Sequence, residues 1–361
     1  MTEDADFGLP DTGEWAKSLG VSREAIELYR QSDVIDLHVD SFIWTRIFGY
    51  DLRKRHGRGP LGARFYSQAD LPRLISAGVT GAAWVITTNP LGSSRRRARA
   101  FFENLSRLRR ELTAAPDRVA LVRNAAEYRA ARENGRHGAF IAIQGGNALD
   151  HDLDDYGRIP DGVVTRVTLV HLTSSSFGAT SSPLALTDSG LTGHGRDLVR
   201  RLDAERIFVD LAHISKNGFY DAVKVHDSSI PLIVTHTGVS GVFPHWRNLD
   251  DDQLRAIADS GGTVGVMYQA SFLGPSWLVG GTNTASLVAD HLEHIVRVVG
   301  EDHASLGSDW DGAIVTPRDM QTCVELPKLV QLLLDRRLRP EAIQKILGQN
   351  YLRALRHLRG A

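Results

Sequence analysis

VTRVTLVHL (164–172), GRDLVRRLDAE (195–205) and RIFVDLAH (206–213) follow one another along the chain. The first and last are short β-branched runs, apolar on both alternating faces. The middle stretch places its apolar residues at helical spacing. A strand, a helix and a second strand in this order form a parallel crossover unit, whose sheet is covered by helices on its faces.

The alternation extends in both directions. Upstream lie VIDLHVD (34–40), VTGAAWVI (79–86) and GAFIAIQ (138–144); downstream lie PLIVTHT (231–237), GTVGVMY (262–268) and HASLGSD (303–309). Helical stretches separate them, among them RRRARAFFENLSRLRREL (95–112), DDDQLRAIADSG (250–261) and SLVADHLEHIVRVVG (286–300). Eight strand runs alternating with helices predict an α/β fold, a (β/α)8 TIM-type barrel. A doubly wound open sheet is the competitor. It is disfavoured because no run leads into a G-x-G-x-x-G turn or a P-loop. GLTGHG (190–195) is glycine-rich, but no strand run stands immediately before it.

The expected organisation is an N-terminal polar arm and helix (1–33, with REAIELYRQ), the barrel (34–322), and C-terminal helices packed on it (323–361). The last part comprises LPKLVQLLLDRR, PEAIQKILG and NYLRALRHLRG. A single barrel absorbs all 361 residues without a second domain. The 42 Lys and Arg against 43 Asp and Glu leave no basic excess for a nucleic-acid partner. Cys323 is the sole cysteine, so neither an intrachain disulfide nor a thiolate metal cluster can form. The acidic start has no apolar signal region, and no apolar run reaches membrane-spanning length. A cytoplasmic location is the default expectation, with no membrane partner; a homo-oligomer is left open.

Barrels place functional residues at the C-terminal ends of their strands. Here those ends carry His38, Asp40, Gln144, His171, His213, His236 and Asp309. Polar groups in apolar strands are costly unless paired or ligated, and their convergence on one rim suits a metal-dependent hydrolase. His38 and Asp40, two apart on a strand, face the same side and can point at one ion. His213 and His236 end successive runs and suit a borderline metal such as zinc. Asp309 is placed to serve both a metal and a proton. Asp311 reads as a turn or cap residue.

Other features have plainer readings. Phe101, Leu105 and Leu108 mark the inner face of an amphipathic helix whose basic face is solvated. His291 and His294, three apart on a helix, read as an exposed face. Ser174–Ser176 lie in a loop without a G-x-S-x-G frame. Trp44, Tyr268 and Trp310 either wall a pocket or pack beneath the rim.

The set of motifs DLHVD (36–40), IQGGNAL (143–149), TLVHLTSSSFG (168–178), GLTGHG (190–195), VDLAHIS (209–215), THTGVSG with WRN (235–248), GSDWDG (307–312) and NYLRAL (350–355) resembles the membrane (renal) dipeptidase family of zinc peptidases, an amidohydrolase-like barrel family. The resemblance spans roughly residues 34–355. It implies a metallopeptidase, a hydrolase cleaving a dipeptide or similar small amide with a free carboxylate. It further implies one zinc on His38, Asp40 and Asp309 and another on His213 and His236. Asp309 would handle protons, His171 would polarise the scissile carbonyl, and Arg247 would grip the substrate carboxylate. One departure stands out: the family's bridging glutamate, in an E-G-G motif, is Gln144 in Gln144-Gly145-Gly146. A neutral amide is a weaker bridge between two dications, so occupancy by one or two zinc ions is open. The alternative is a catalytically altered or inactive homologue that binds or tailors a peptide-derived small molecule.

Overall fold

The computed structural model describes residues 8–183, 185, 189–275 and 283–360; most of the acidic start lies outside them. Among the described residues there are nine parallel strands: β1 (Ile35–Val39), β2 (Gly81–Thr87), β3 (Val119–Leu121), β4 (His137–Gln144), β5 (Val164–Thr168), β6 (Phe208–Asp210), β7 (Ile233–Thr237), β8 (Thr263–Val266) and β9 (Ala304–Leu306). Their order is β2-β1-β9-β8-β7-β6-β5-β4-β3, and β4 pairs back onto β2. That pairing closes a ring of eight, the predicted barrel. The ninth strand, β3, lies outside the ring. It pairs with His137–Ala139 at the start of β4, and β5 takes over the same edge from Ile141 onward. With three residues, β3 is too short for a periodic signal.

Register brings the polar strand ends level. β2 and β4 pair from Gly81↔Gly138 through Thr87↔Gln144. Gln144 then pairs with Thr168, and Thr168 with Asp210. The ring is also pinched. A Cβ on Gly265 or Gly307 would fall 2.0 and 1.7 Å from the Thr235 carbonyl oxygen, so only glycine lets β8 and β9 pass β7 so closely. β7 is pressed inward toward β1, and the His38 and His236 rings come to 3.8 Å between centroids.

The outer helices bury one stripe each. Ser94–Thr113 buries Ala98, Phe101, Leu105, Leu108 and Leu112 and leaves its arginine-rich face outward. Pro340–Gln344 runs through a π-turn, Lys345–Gln349, into Asn350–Arg359. That last helix drives Tyr351 beneath the barrel, against Phe140 and Phe208 at 5.3 and 5.9 Å.

Two expectations are corrected. The N-terminal arm is not merely polar: Thr12–Leu19 is a helix capped by Asp11, and it buries Trp15 edge-on to Tyr29. His291 and His294 are buried, not exposed. Their helix packs under the loop after β7, where the Val239 amide donates to His291 Nδ1 and His294 Nε2 meets Asp251 Oδ1 at 2.7 Å. Polar partners on neighbouring elements satisfy both rings, and spacing along one helix cannot reveal them.

Tyr268 and Trp310 pack under the rim, edge to face at 4.9 Å. The loop after β9 is anchored by Asp311. Its buried carboxylate accepts from the Gln68 amide (2.7 Å), the Ala69 amide (3.2 Å) and the Ser41 hydroxyl. Burial raises this carboxyl to about 6. Asp311→Ala leaves three buried donors unpaired, so unfolding free energy in urea should fall by about 2–4 kcal/mol. A loss below about 0.5 kcal/mol would show that water replaces the carboxylate.

A candidate metal centre at the barrel mouth

His38 sits on β1, fully buried. Its backbone amide donates to Asp36 Oδ1 at 2.9 Å, and its carbonyl accepts from the Asp309 amide at 3.0 Å, which ties β1 to the loop after β9. Asp40 lies just past the strand, and its amide donates to the Trp310 carbonyl. The Asp40 carboxylate accepts from Thr87 Oγ1 at 2.5 Å, and burial raises it to about 6. The same Thr87 oxygen lies 3.1 Å from Gln144 Oε1.

His213 and Asp309 hold φ of 66° and 64°, the left-handed region that side-chain-bearing residues rarely occupy. The strain turns each side chain off its strand line and into the mouth, a pattern found at functional sites. Three imidazoles and an amide meet there. His213 Nε2 and His236 Nε2 are 2.8 Å apart, and Gln144 Nε2 lies 3.2 and 3.3 Å from them. His38 Nε2 lies 3.6 Å from Asp309 Oδ1. Ligand atoms of His38, His236 and Asp309 all fall within 4.8 Å of one another. The structure therefore gathers one cluster, with His236 shared between the two ligand groups the sequence separates. Asp40 touches it through Thr87.

Burial holds His38, His213 and His236 well below the ordinary imidazole range, with nearby arginines and histidines adding to it. These rings are neutral, as metal ligands must be. Burial and then the Asp40 carboxylate push Asp309 well above the usual carboxylate range. The tautomer of His236 follows from its partners. Thr235 Oγ1 spends its proton on Asp210 Oδ2 (2.7 Å), so it accepts from His236 Nδ1–H (2.9 Å). His236 Nε2 therefore carries a lone pair toward the cluster, the arrangement of a ligating histidine. Two imidazole nitrogens 2.8 Å apart, the His236 one carrying a lone pair, beside the Asp40 and Asp309 carboxylates, form a donor set that suits a divalent cation.

His171 stands three residues past β5, half-buried, edge-on to the His213 ring at 4.7 Å. Burial, then Arg247, lowers it to about 4. Arg247 lies in the loop after β7 and is 3% exposed. Its Nη2 donates to the His236 carbonyl at 2.6 Å, while its Nε has no partner. Burial lowers it to about 10, opposed by Asp309 and Asp210. A cavity of about 210 Å³ opens beside His213, Trp246 and Arg247. Another, of about 280 Å³, opens between Arg46, Thr87 and Asn104.

Four residues of the site escaped the sequence reading: Thr87, Arg166, Asp210 and Thr235. Arg166 is buried on the barrel axis, with Nη1 3.0 Å from Asp210 Oδ2 and Nη2 3.2 Å from His38 Nδ1. A charged residue inside VTRVTLV and another inside IFVDLA were the available signals, since neither is tolerated in an apolar strand unpaired.

Comparison with known proteins finds one matching family and several solved structures of similar fold. Residues 22–360 match the family described as membrane dipeptidase, peptidase family M19. A Klebsiella pneumoniae protein described as uncharacterized, in the pqqA 5' region, is 29% identical over 263 residues, 71% of this chain and 95% of its own. The crystal structure of dipeptidase AC, a metallopeptidase of family M19, superposes with a TM-score of 0.81 at 26% identity, covering 91% of this chain and 99% of the other. A metallopeptidase from Rhodobacter sphaeroides, liganded with a phosphinate mimic of the dipeptide L-Ala-D-Ala, shares the fold with a TM-score of 0.80 at 24% identity. It covers 90% of this chain and 99% of the other.

The lowered His171 value has a direct consequence. At about pH 5.5 an ordinary imidazole is roughly 90% protonated, whereas His171 should remain neutral. Nitrogen-15 NMR of histidine-labelled protein, assigned with His171→Gln, should show neutral ring shifts there. Imidazolium shifts at that pH would mean that water reaches the ring.

Proposed function

The chain belongs to the membrane dipeptidase family of peptidases, family M19, and on that premise we propose that it is a metal-dependent hydrolase of dipeptides or similar small amides with a free carboxylate. Arg247 carries the reading. A guanidinium buried at the mouth of a barrel, with its Nε unpartnered and its strongest charge neighbour Asp309, needs an anion. A substrate carboxylate supplies one through charge-assisted hydrogen bonds. The cavities beside Arg247 and beside Thr87 flank the cluster and offer space for the two residues of a dipeptide.

The residues that would hold zinc lie among His38, Asp40, Gln144, His213, His236 and Asp309, whose imidazole, carboxylate and amide-oxygen donors suit it; when bound it would supply Lewis-acid polarisation of the scissile carbonyl. The chain's own groups do the rest. Arg247 orients the substrate by its carboxylate. His171, held neutral, donates an N–H to the oxyanion as charge develops there. Asp309, whose burial favours the protonated form, takes a proton from the attacking water and returns it to the leaving amine. Gln144 favours a second reading, a homologue that binds or tailors a peptide-derived molecule, because it removes one negative charge from the centre. A panel of dipeptides, assayed with zinc, separates the two.

Two substitutions test the assigned roles. Arg247→Ala should cost about 2–4 kcal/mol in kcat/KM on free dipeptides and leave carboxy-amidated ones nearly unchanged. Equal losses on both would make Arg247 structural. Asp309→Asn keeps the size and one oxygen but not the base, so kcat should fall roughly 10²–10⁴-fold while substrate still binds. Near-normal turnover would assign the proton to another group.

A further inference from the structure

The hydrogen bonds around His38 differ from those around His236 in a way that decides what His38 can do. His236 gives its Nδ1 proton to Thr235 and turns a lone pair to the cluster. His38 Nδ1 instead faces Arg166 Nη2 at 3.2 Å. Arginine has only donors, so His38 Nδ1 is the acceptor. A neutral imidazole with its lone pair at Nδ1 carries its proton on Nε2. That nitrogen has no hydrogen-bond partner, and its nearest acceptor is Asp309 Oδ1, 3.6 Å away. Arg166 cannot turn aside. Its Nη1 is held by Thr168 Oγ1 (2.8 Å) and Asp210 Oδ2 (3.0 Å), and Nη2 also donates to the Leu37 carbonyl.

Gln144 supplies the complementary half. Thr87 Oγ1 has one proton and two oxygen neighbours, Asp40 Oδ1 at 2.5 Å and Gln144 Oε1 at 3.1 Å. Turning the amide over satisfies both ends: Gln144 Nε2–H donates to Thr87, and Thr87 donates to Asp40. The turn costs no space, because the two ends of an amide have the same shape. It presents Gln144 Oε1 at the point 3.2 and 3.3 Å from the two imidazole nitrogens. Charge agrees. Arg166 is matched by Asp210, and Gln144 adds no charge, so the mouth lacks the bridging carboxylate that two neighbouring dications need.

We infer that the centre is mononuclear: one divalent ion held by His213, His236 and the amide oxygen of Gln144, with His38 kept out of the ligand set by Arg166 and serving as a positioning donor toward Asp309. This rests on the metal-dependent reading above, yet it can fail separately from it.

The test is metal content. Protein stripped with a chelator is reloaded with zinc, or with cobalt for its ligand-field spectrum, then dialysed and measured by elemental analysis and calorimetry. The expected result is one ion per chain. His38→Ala should retain it with affinity within about threefold, whereas His213→Ala and His236→Ala should each weaken it by more than about 100-fold, beyond the usual cost of losing a group that only hydrogen-bonds to a ligand. Gln144→Glu should stay at one ion, and Gln144→Glu with Arg166→Met should reach two. If the double variant does not fold, the His38→Ala comparison decides. Two ions on the unaltered protein, no ion at all, loss of the ion in His38→Ala, or two ions in Gln144→Glu alone would each overturn the inference. One ion without dipeptide hydrolysis would uphold it and remove the dipeptidase reading; hydrolysis with two ions would do the reverse.

Discussion

The carboxylate of Asp210 lies on the barrel axis, out of reach of water, and takes hydrogen bonds from the Ala212 and Thr235 amides, the Thr168 and Thr235 hydroxyls and the Arg166 guanidinium. Such satisfaction is the condition on which a charge survives in a protein interior. The three strands β5, β6 and β7 are thereby stitched from within. Because Thr235 spends its proton on Asp210, His236 is fixed in one tautomer. Because Arg166 leans on Asp210, its other nitrogen is fixed against His38. The protonation of two histidines at the barrel mouth is thus set one layer below them, by a residue that touches neither.

The barrel was legible because its strands are buried on both faces and therefore read as uninterrupted apolar runs, from VIDLHVD to HASLGSD. Every one of the eight runs matches a barrel strand to within a residue or overlaps it. What escaped were elements whose stability is tertiary. β3 exists because His137–Ala139 leave an edge open before β5 begins. The helix at Thr12–Leu19 exists because Trp15 finds Tyr29. The rim histidines and acids could be placed at strand ends, since strand register carries them there. Their grouping could not be read, because it depends on how far β7 is pressed toward β1, and that is set by the absence of side chains at Gly265 and Gly307.

The site also shows where local rules are broken. His213 and Asp309 are held in left-handed backbone, and Arg247 is buried with an unpaired nitrogen. Each is costly alone. All three lie at the barrel mouth around His38 and His236, while Asp311, also left-handed, is bonded to the neighbouring loop. Strain that converges on a shared point marks a functional site; strain answered by hydrogen bonds belongs to the fold.

The closing seam lies between β1 and β9, which pair at Asp36↔Leu306. Some 270 residues separate these partners along the chain, so the loop that must be gathered is nearly the whole barrel. A ribosome making this chain exposes β1 long before its neighbour exists. Until β9 emerges, one edge of the nascent sheet is unpaired, and the floor built by Tyr351 arrives later still. Asp36, whose buried carboxylate accepts from the Ser308 amide across that seam, gains this bond only when the two ends of the sheet meet. Formation of the cluster at the barrel mouth, where His38 Nε2 and Asp309 Oδ1 come within 3.6 Å, is therefore among the last events of folding rather than a step that could guide it.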